Sequence, residues 1–316
     1  MEVGKTPLSY AAAGCAAVRA AMQADSRVVV VGEDVGRGGV FQQYKGLQGE
    51  FGAGRVIDTP ISESTIMGAA VGMALAGLRP VVEMRVVDFA LCAMDEIVNQ
   101  AAKARYMLGG QSGVPLVARL PIGLWAGSAA QHSQSLEAWF AHIPGLVVVA
   151  PATPQDNYSL LRAAIDCGDP VIYMEHKELW GLQGEVSPRD IPLGKANVVR
   201  EGKDLTLVTW SRTVHAALQA ETKKSVEIID LRTLWPWDRE TVLSSVRKTG
   251  ELLVVHEAVQ AAGFGAEIAA TVAEETGARV RRLGAPRIPV GYAISLEDEA
   301  RISAEKIAAC IARLFQ

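Results

Sequence analysis

Four short segments of the sequence hold polar side chains whose types and positions could perform acid–base chemistry. Residues 58–64 place Glu63 directly before a long apolar run that predicts a helix, and His132 lies in a polar loop. Two further segments, 175–177 and 255–257, put charged and histidine side chains at the ends of apolar runs that predict strands. Carboxylates and imidazoles are the groups that most often hold or transfer a proton in catalysis. These segments are therefore the candidate site.

Each segment also has a simpler structural interpretation. Glu63 at a helix N-terminus could interact only with the helix dipole, which contributes ~0.3–1 kcal/mol. His132 could cap the following helix or hydrogen-bond to its own loop. The charged groups at 175–177 and 256–257 could form structural ion pairs. Residue types alone leave both interpretations of each segment open.

The elements that must position these residues alternate between strand and helix. Apolar, β-branched runs without polar alternation are typical of parallel strands buried on both faces. Such runs occur at 28–31, 80–87, 114–119, 146–150 and 171–174, with predicted helices at 7–23, 63–77, 93–106, 135–141 and 154–166. The first helix is predicted to start at Thr6-Pro7. Ligands of open α/β sheets collect at the carboxyl ends of the strands, where the charged segments lie.

A second alternating unit follows a segment rich in Gly, Pro and charge. Its predicted strands lie at 205–210, 226–230, 251–256 and 279–283, and its predicted helices at 212–222, 238–248, 264–275 and 303–315. The sequence therefore predicts an α/β protein of two doubly wound domains with mostly parallel sheets. We expect the first domain over residues 1–185, a linker over 186–203 and the second domain over 204–316.

Composition argues against several classes of protein. The chain has 316 residues, a net charge of −4 and no block of basic residues, which disfavours a nucleic-acid surface. Its longest uninterrupted apolar run, 66–78, is shorter than the ~20 residues that a membrane-spanning helix needs. Four cysteines lie far apart among apolar residues without a Cys-x-x-Cys pair, a pattern that predicts reduced thiols and a cytoplasmic location. The histidines have no spacing typical of a zinc site.

Ordered segments along nearly the whole chain together carry a resemblance that no single motif would carry. They read DTPISES at 58–64, GMALAGLRPVVE at 72–83, DEIVNQAAKARYMLGGQ at 95–111, AAQHSQS at 129–135, HIPGLVVVAP at 142–151, DPVIYMEHK at 169–177, IIDLRTLWPWD at 228–238 and VVHEAVQAAGFGAEIAA at 254–270. In this order they resemble the β subunit of the thiamine-diphosphate-dependent E1 component of 2-oxo acid dehydrogenases. That family includes pyruvate, branched-chain 2-oxo acid and acetoin dehydrogenases. The resemblance implies a transketolase-like pyrimidine-binding domain followed by a transketolase C-terminal-like domain.

The resemblance also implies roles for four residues. Glu63 would be the carboxylate that faces N1′ of the aminopyrimidine ring of thiamine diphosphate, and so would help the cofactor to lose its thiazolium proton. Phe89 would stack on the pyrimidine, and Glu33 would lie near the cofactor channel. His132 would be the active-site histidine that assists substrate binding, proton transfer or reductive acylation of a lipoyl group.

Partners are implied as well, because part of the family's cofactor site is missing from this sequence. Thiamine diphosphate is normally anchored through Mg²⁺ by a Gly-Asp-Gly segment and a later Asn-Asn pair, and this chain has neither. An α subunit is therefore expected to supply the diphosphate and Mg²⁺ contacts, in an α2β2 heterotetramer that works with a lipoyl-bearing E2. The resemblance further implies a potassium ion, held mainly by backbone oxygens at the matching positions Leu116, Ala164, Cys167 and Asp169.

The sequence departs from the family pattern at three places. These are the bulky pair Leu124-Trp125 near the expected substrate channel, the polar run 42–44, and a shortened segment between Glu275 and Arg282. They leave the substrate open between a 2-oxo acid and acetoin. Two other functions also remain open: one half of a split transketolase-like enzyme acting on sugar phosphates, and a non-catalytic interaction subunit.

Overall fold

A computed structural model describes residues 5–316 as strands that alternate with helices. The strands are β1 Thr6–Ser9, β2 Val28–Gly32, β3 Val56–Asp58, β4 Arg79–Glu83, β5 Val117–Arg119, β6 Val147–Val149, β7 Val171–Tyr173, β8 Gln183–Val186, β9 Asn197–Arg200, β10 Leu205–Thr209, β11 Val226–Asp230, β12 Thr233–Trp235, β13 Glu251–Val259 and β14 Arg279–Ala285. The α-helices are α1 Tyr10–Ala24, α2 Leu47–Phe51, α3 Glu63–Leu75, α4 Val87–Ala90, α5 Ala102–Met107, α6 Glu137–Ala141, α7 Pro154–Asp166, α8 Thr213–Gln219, α9 Arg239–Thr249, α10 Gly265–Thr276, α11 Ile294–Ala300 and α12 Ala304–Leu314. A π-helix at Glu96–Ala101 and 3₁₀ turns at Leu91–Ala93 and Lys177–Leu179 complete the helical segments.

The first half of the chain builds a seven-stranded sheet in the order β3-β2-β4-β5-β7-β6-β12. Six of its strands are parallel, and β12, from the second half of the chain, pairs antiparallel with β6 at the edge. Each face of the sheet has its own core, with Val28 and Val30 on one side and Val31 and Val82 on the other. Burial on both faces explains the apolar runs without alternation. The predicted parallel α/β architecture is confirmed.

The second half builds a five-stranded sheet in the order β14-β13-β10-β11-β9. Strand β9 pairs antiparallel with β11 and lies inside the segment 186–203 that the sequence predicts as a linker. Its residues are only half-buried or exposed, so the segment lacks the apolar run that identifies an interior strand. We retain 1–185 and 204–316 as proposed domain limits, with β9 packed on the second sheet.

The first helix begins later than predicted. It starts at Tyr10, because the side chain of Ser9 accepts a hydrogen bond from the amide of Ala12 (3.1 Å) and caps the helix. The Thr6-Pro7 start is therefore wrong. Residues Thr6–Ser9 pair antiparallel with β8 instead, in a small two-stranded sheet.

Two other predicted elements are shorter or less regular than expected. The apolar run over 80–87 is a strand only as far as Glu83, and from Val87 the chain turns into α4, whose first amide donates to the carbonyl of Pro121 (2.9 Å). The helix predicted over 93–106 is divided into a 3₁₀ turn, a π-helix and a short α-helix. Apolar periodicity does not distinguish these hydrogen-bond patterns, and π-turns often mark functional positions.

One apolar core joins the two halves of the chain. Ile97, Phe140 and Leu146 from the first half lie in the same cluster as Trp210 and Phe264 from the second half. This contact fixes the second half against the carboxyl edge of the first sheet, where the candidate residues lie. In the described part of the chain, no helix is both long enough and apolar enough to cross a membrane.

Candidate active site

The carboxyl ends of three neighbouring strands bring charged side chains to one edge of the first sheet. Glu33 follows β2, Glu63 begins α3 just beyond β3, and Arg85 follows β4. Burial raises the pKa of Glu33, the negative charge of Glu63 raises it further, and the positive charge of Arg85 opposes the two. Glu33 and Glu63 therefore lie close enough to repel one another.

Glu63 is the first residue of α3, and its side chain is half-buried. The N-cap residue, Ser62, makes no side-chain hydrogen bond to the helix. Within residues 5–316, no hydrogen bond or ion pair joins the carboxylate of Glu63 or Glu33 to another side chain. The dipole of α3 favours a negative charge at this position. The dipole does not account for two neighbouring carboxylates without partners, which together can hold a proton or accept hydrogen bonds from a bound group.

Phe89 and His132 meet at the same edge of the sheet. Phe89 lies in α4, after β4, and His132 is exposed in the loop after β5. Their rings make an edge-to-face contact with centroids 5.1 Å apart and planes at 82°. His132 does not cap α6, which begins at Glu137 without a side-chain cap. The capping interpretation is therefore wrong, and the imidazole is accessible from outside.

The loop that carries His132, residues 121–135, is held by side chains from both halves of the chain. The amide of Leu124 donates to Oε1 of Glu257 (3.0 Å), the amide of Gly127 to Oε2 of Glu297 (2.7 Å), Nε2 of Gln134 to Oδ1 of Asp88 (2.7 Å) and Nζ of Lys177 to the carbonyl of His132. Within the loop, Ala126 and Ala129 have φ angles of 49° and 60°. This left-handed conformation is unfavourable for a residue with a Cβ and persists where neighbours impose it.

A buried ion pair and a buried histidine–carboxylate hydrogen bond support the structural interpretation of Glu175 and Glu257. Glu175 pairs with Arg119 at 2.6 Å, and both side chains are buried. Nε2 of His176 donates to Oε1 of Glu257 (2.7 Å), since Nδ1 of the same ring accepts from the amide of Glu178 (3.2 Å).

A glycine is required above the His176 ring. Gly123 has a φ angle of +87°, and a Cβ built at this position would lie 2.0 Å from Nε2 of His176. The close approach lets the loop lie directly on the His176–Glu257 pair.

Two buried carboxyl groups beneath the site have pKa values shifted in opposite directions. Burial raises the pKa of Glu83 to about 7, although the charge of Arg119 and hydrogen bonds from Tyr44 (2.7 Å) and Gln43 (3.1 Å) oppose the rise. Burial also acts to raise the pKa of Glu257, but its interaction with His176, the hydrogen bond from the amide of Leu124 and the charge of Arg212 (3.8 Å) outweigh burial and hold that pKa at about 2.

Comparison with known proteins places the chain in a family. Residues 6–183 match the transketolase pyrimidine-binding domain, and residues 194–307 match the transketolase C-terminal domain. The β subunit of 2-oxoisovalerate dehydrogenase of Bacillus subtilis is 41% identical, over 98% of this chain and 99% of the relative. The chain belongs to the E1 β-subunit family. The β subunit of acetoin:2,6-dichlorophenolindophenol oxidoreductase of Cupriavidus necator is 44% identical over 91% of each chain.

Other members and a solved structure agree with this assignment. The mitochondrial pyruvate dehydrogenase E1 subunit beta-1 of Arabidopsis thaliana is 44% identical over 87% of this chain and 80% of the relative. Among solved structures, an inactive β4 tetramer of a split-gene transketolase superposes with a TM-score of 0.80 over 97% of each chain, at 21% identity. The latter likeness shows the transketolase-like fold.

Two departures from the E1 β-subunit pattern meet on one surface. Trp125 lies edge-on to Phe41 (5.2 Å) and to Trp180 (6.0 Å), while Phe41 stacks on Trp180 at 3.5 Å. The indole of Trp125 is 39% exposed and lines an open depression together with Gln42. Leu124 is buried. Within the loop that carries His132, Leu124 thus lies in the interior and Trp125 lies on an exposed surface.

The shortened segment between Glu275 and Arg282 is a tight connection. Helix α10 ends at Thr276, and β14 begins at Arg279. Gly277 closes the helix with a φ angle of +66°, the left-handed conformation typical of a glycine at a helix end.

The four positions matched to the family's potassium site already have partners within the chain. The carbonyl of Leu116 accepts from Val171 (2.9 Å), that of Ala164 from Cys167 (3.2 Å) and that of Cys167 from Nη1 of Arg79 (3.2 Å), while Asp169 pairs with Arg105. A carbonyl oxygen has two lone pairs, so Leu116 and Ala164 could still bind an ion. Cys167 and Asp169 each face a guanidinium, which would compete with one.

Several residues of the site escaped the sequence analysis. Glu83, Arg119 and Glu297 hold the loop or the buried charges but are not part of the four polar segments. Glu83 interrupts the apolar run 80–87 and Arg119 ends the run 114–119, and a charge within or at the end of a buried apolar run was the available signal. Glu297 lies in a polar helix and carried no such signal. Within residues 5–316, no three His, Cys, Asp or Glu side chains are grouped so that they could hold a metal ion.

Proposed function

We propose that this chain is the β subunit of a 2-oxo acid or acetoin dehydrogenase E1 component and uses thiamine diphosphate together with an α subunit. The observation that carries the proposal is the pair of carboxylates Glu33 and Glu63, which have no side-chain partner within residues 5–316 and lie on the same sheet edge as Phe89 and His132. Membership of the E1 β-subunit family supports the same conclusion.

The chemistry of the donor set suits the cofactor. Thiamine diphosphate supplies the group that stabilises negative charge on the substrate's former carbonyl carbon. Glu63 would hold a proton at the ring nitrogen of the aminopyrimidine, and its half-buried position would limit competition from water. Phe89 would pack on the pyrimidine ring, and Glu33 would line the channel beside it. His132 would contact the substrate or a lipoyl group from the outer side.

We infer that an α subunit completes the site. The sequence lacks the Gly-Asp-Gly and Asn-Asn segments that would anchor the diphosphate and Mg²⁺, so these contacts fall to the partner. Ile61, two residues before Glu63, exposes 77% of its surface, as expected for an apolar side chain that a partner covers. The proposed assembly is an α2β2 heterotetramer in the cytoplasm.

The acyl group remains open, because relatives named for 2-oxoisovalerate, acetoin and pyruvate are 41% to 44% identical to this chain. For each of these substrates we propose transfer of the product to a lipoyl-bearing E2. The exposed position of His132 supports a role in that transfer, since a lipoyl arm must enter from outside.

Two alternative functions are less well supported. The likeness to a split-gene transketolase concerns the fold, while the relatives of higher identity are dehydrogenase subunits. Turnover of sugar phosphates by the assembled protein would favour the transketolase alternative. A non-catalytic subunit would have no need of Glu63, Phe89 and His132 together.

The decisive experiment compares the chain alone with the chain assembled with an α subunit of the same family. We expect the chain alone to show no decarboxylase activity and no tight binding of thiamine diphosphate by calorimetry. The assembled protein should bind the cofactor in a Mg²⁺-dependent manner and consume a 2-oxo acid or acetoin. Micromolar, Mg²⁺-dependent binding by the chain alone would contradict the division of the site between subunits.

We also propose a potassium ion at Leu116, Ala164, Cys167 and Asp169, with Arg79 and Arg105 as competing cations. Thermal unfolding of the chain in KCl and in NaCl of equal ionic strength tests this. A higher melting temperature in KCl supports the ion. Equal temperatures would mean that the two guanidinium groups supply the positive charge at these oxygens.

A further inference from the structure

Lys177 begins the 3₁₀ turn that follows β7 and is buried, although its side chain ends in an ammonium group. We propose that Lys177 is a positioning residue for His132: while it carries its positive charge, it holds the His132 loop against α4, the helix that bears Phe89. The inference rests on the proposed function only in giving His132 a catalytic role. The contact itself is a property of this chain.

The contacts around Lys177 tie the His132 loop to the helix of Phe89. Nζ of Lys177 donates to the carbonyl of His132. Two residues further along the loop, Gln134 donates to Oδ1 of Asp88, the neighbour of Phe89 in sequence. Lys177 thus holds the loop at His132 and Asp88 holds it at Gln134, close in sequence to the ring contact between Phe89 and His132.

The charged groups that face Lys177 come from four elements, and they differ in how far other residues neutralise them. Glu178 pairs with Arg212 and Arg301, Glu297 pairs with Arg301, and Glu257 lies 3.8 Å from Arg212. Asp88 has only the neutral amide of Gln134, and its Oδ2 has no hydrogen-bond partner in the described chain. Asp88 is therefore the main counter-charge of Lys177.

This arrangement makes the contact sensitive to pH near neutrality. Burial lowers the pKa of Lys177 to about 8, against the opposing charges of Asp88, Glu257, Glu297 and Glu178. Loss of the proton leaves a weaker donor at the His132 carbonyl and leaves Asp88 without a cation. Lys103 makes the same type of bond without the burial. Its ammonium donates to the carbonyl of Pro144 (2.8 Å), and this bond is exposed to solvent.

The test measures hydrogen exchange of residues 123–136 in the full chain at pH 7 and pH 9, after correction for the chemical exchange rate. In the wild type, the charged fraction of a group with a pKa near 8 falls from about nine-tenths to about one-tenth, so protection should fall up to about tenfold. Lys177→Arg, which stays charged, should keep its protection at pH 9. Lys177→Met should lack it at both pH values, and the matched control Lys103→Met should behave as the wild type.

Asp88→Asn provides a second variant that keeps the hydrogen bond to Gln134. Removal of the main counter-charge should move the loss of protection to lower pH. A wild-type loop whose protection is the same at pH 7 and pH 9, or a loss that Lys177→Arg does not prevent and Asp88→Asn does not move, would overturn the inference.

Activity of the assembled enzyme separates this inference from the proposed function. Wild-type kcat should decline above pH 8, and Lys177→Arg should retain kcat at pH 9 with an unchanged KM for thiamine diphosphate. A wild-type enzyme that consumes neither a 2-oxo acid nor acetoin would contradict the proposed function, while the exchange data would still decide the role of Lys177.

Discussion

The two sides of the candidate site differ in how much of their geometry the chain itself provides. Glu33 and Glu63 lie side by side without a hydrogen bond or ion pair to other side chains in residues 5–316. The loop of His132, by contrast, is hydrogen-bonded to four side chains outside the loop. The carboxylate side thus leaves its bonding capacity for groups from outside, whereas the histidine side is preorganised.

The buried acids below the two sides show the same difference. Glu83, on the carboxylate side, is reached by the neutral donors Tyr44 and Gln43, while the nearby Arg119 is paired with Glu175. Glu257, below the histidine side, has His176 and the amide of Leu124 as direct donors. Both acids thus have two direct donors, but Arg212 also lies 3.8 Å from Oε2 of Glu257, and a nearby cation favours the anionic form of a buried carboxyl group. One side therefore rests on a group whose pKa is about 7 and the other on a group whose pKa is about 2.

We expect the largest effect on the free energy of unfolding from a substitution that disrupts the preorganised histidine side. Glu257→Ala leaves the ring N–H of His176 and the amide of Leu124 without an acceptor in a buried position. Each buried donor left without an acceptor typically costs about 1–3 kcal/mol, so the free energy of unfolding should fall by about 2–6 kcal/mol, which urea unfolding would measure. The control is Glu251→Ala in the same strand, whose pair with the exposed Arg279 should be worth less than about 1 kcal/mol. Equal losses would mean that the two halves are not joined through Glu257.

The carboxylate side should behave in the opposite way. Glu63→Gln should leave the free energy of unfolding nearly unchanged, since the side chain has no partner to lose, yet lower kcat of the assembled enzyme about 10²–10³-fold. An amide can hydrogen-bond to the cofactor but cannot share its developing positive charge. Glu240→Gln, in the first turn of α9, is the matched control for a helix-dipole role and should leave kcat intact. Turnover near the wild-type level would return Glu63 to that role.

A smaller effect concerns His132, which lies on the preorganised side but faces outward. His132→Ala should impair the E2-coupled reaction more than decarboxylation with an artificial electron acceptor, by at least about tenfold if the ring serves acyl transfer. The two assays on one preparation measure the ratio. Equal losses in both assays would place the histidine in substrate binding or decarboxylation instead.

The sequence predicts the carboxylate side better than the histidine side, for a physical reason. Apolar runs identify buried parallel strands, and the residues after them must share an edge, so the sequence could place Glu63 at this edge, while the family resemblance implied Glu33. The support of His132 depends on Glu257 and Glu297, more than a hundred residues away in sequence, and no local pattern encodes such contacts. Strands β9 and β12 escaped prediction for a related reason, since each is a short edge strand without a long apolar run.

We expect the smallest effect in the pH dependence of the free energy of unfolding, which distinguishes the buried acids Glu83 and Glu257. Glu83 has a pKa of about 7 in the folded chain and an ordinary value near 4.5 when unfolded. Between these values the folded state binds the proton and the unfolded state does not. The contribution of Glu83 to the free energy of unfolding is therefore fully present below the pKa of the unfolded chain, and it is lost as pH rises through about 7. Between pH 6 and pH 8 the free energy of unfolding should fall by about 1 kcal/mol from this group.

Glu83→Gln, which is neutral at every pH, should remove that fall. Urea unfolding of the wild type and the variant at pH 6 and pH 8 gives a double difference from which other titrating groups cancel. Glu257→Gln should show no such difference over this range, because the pKa of Glu257 lies far below it. An identical pH dependence in wild type and Glu83→Gln would mean that Arg119 keeps Glu83 ionised.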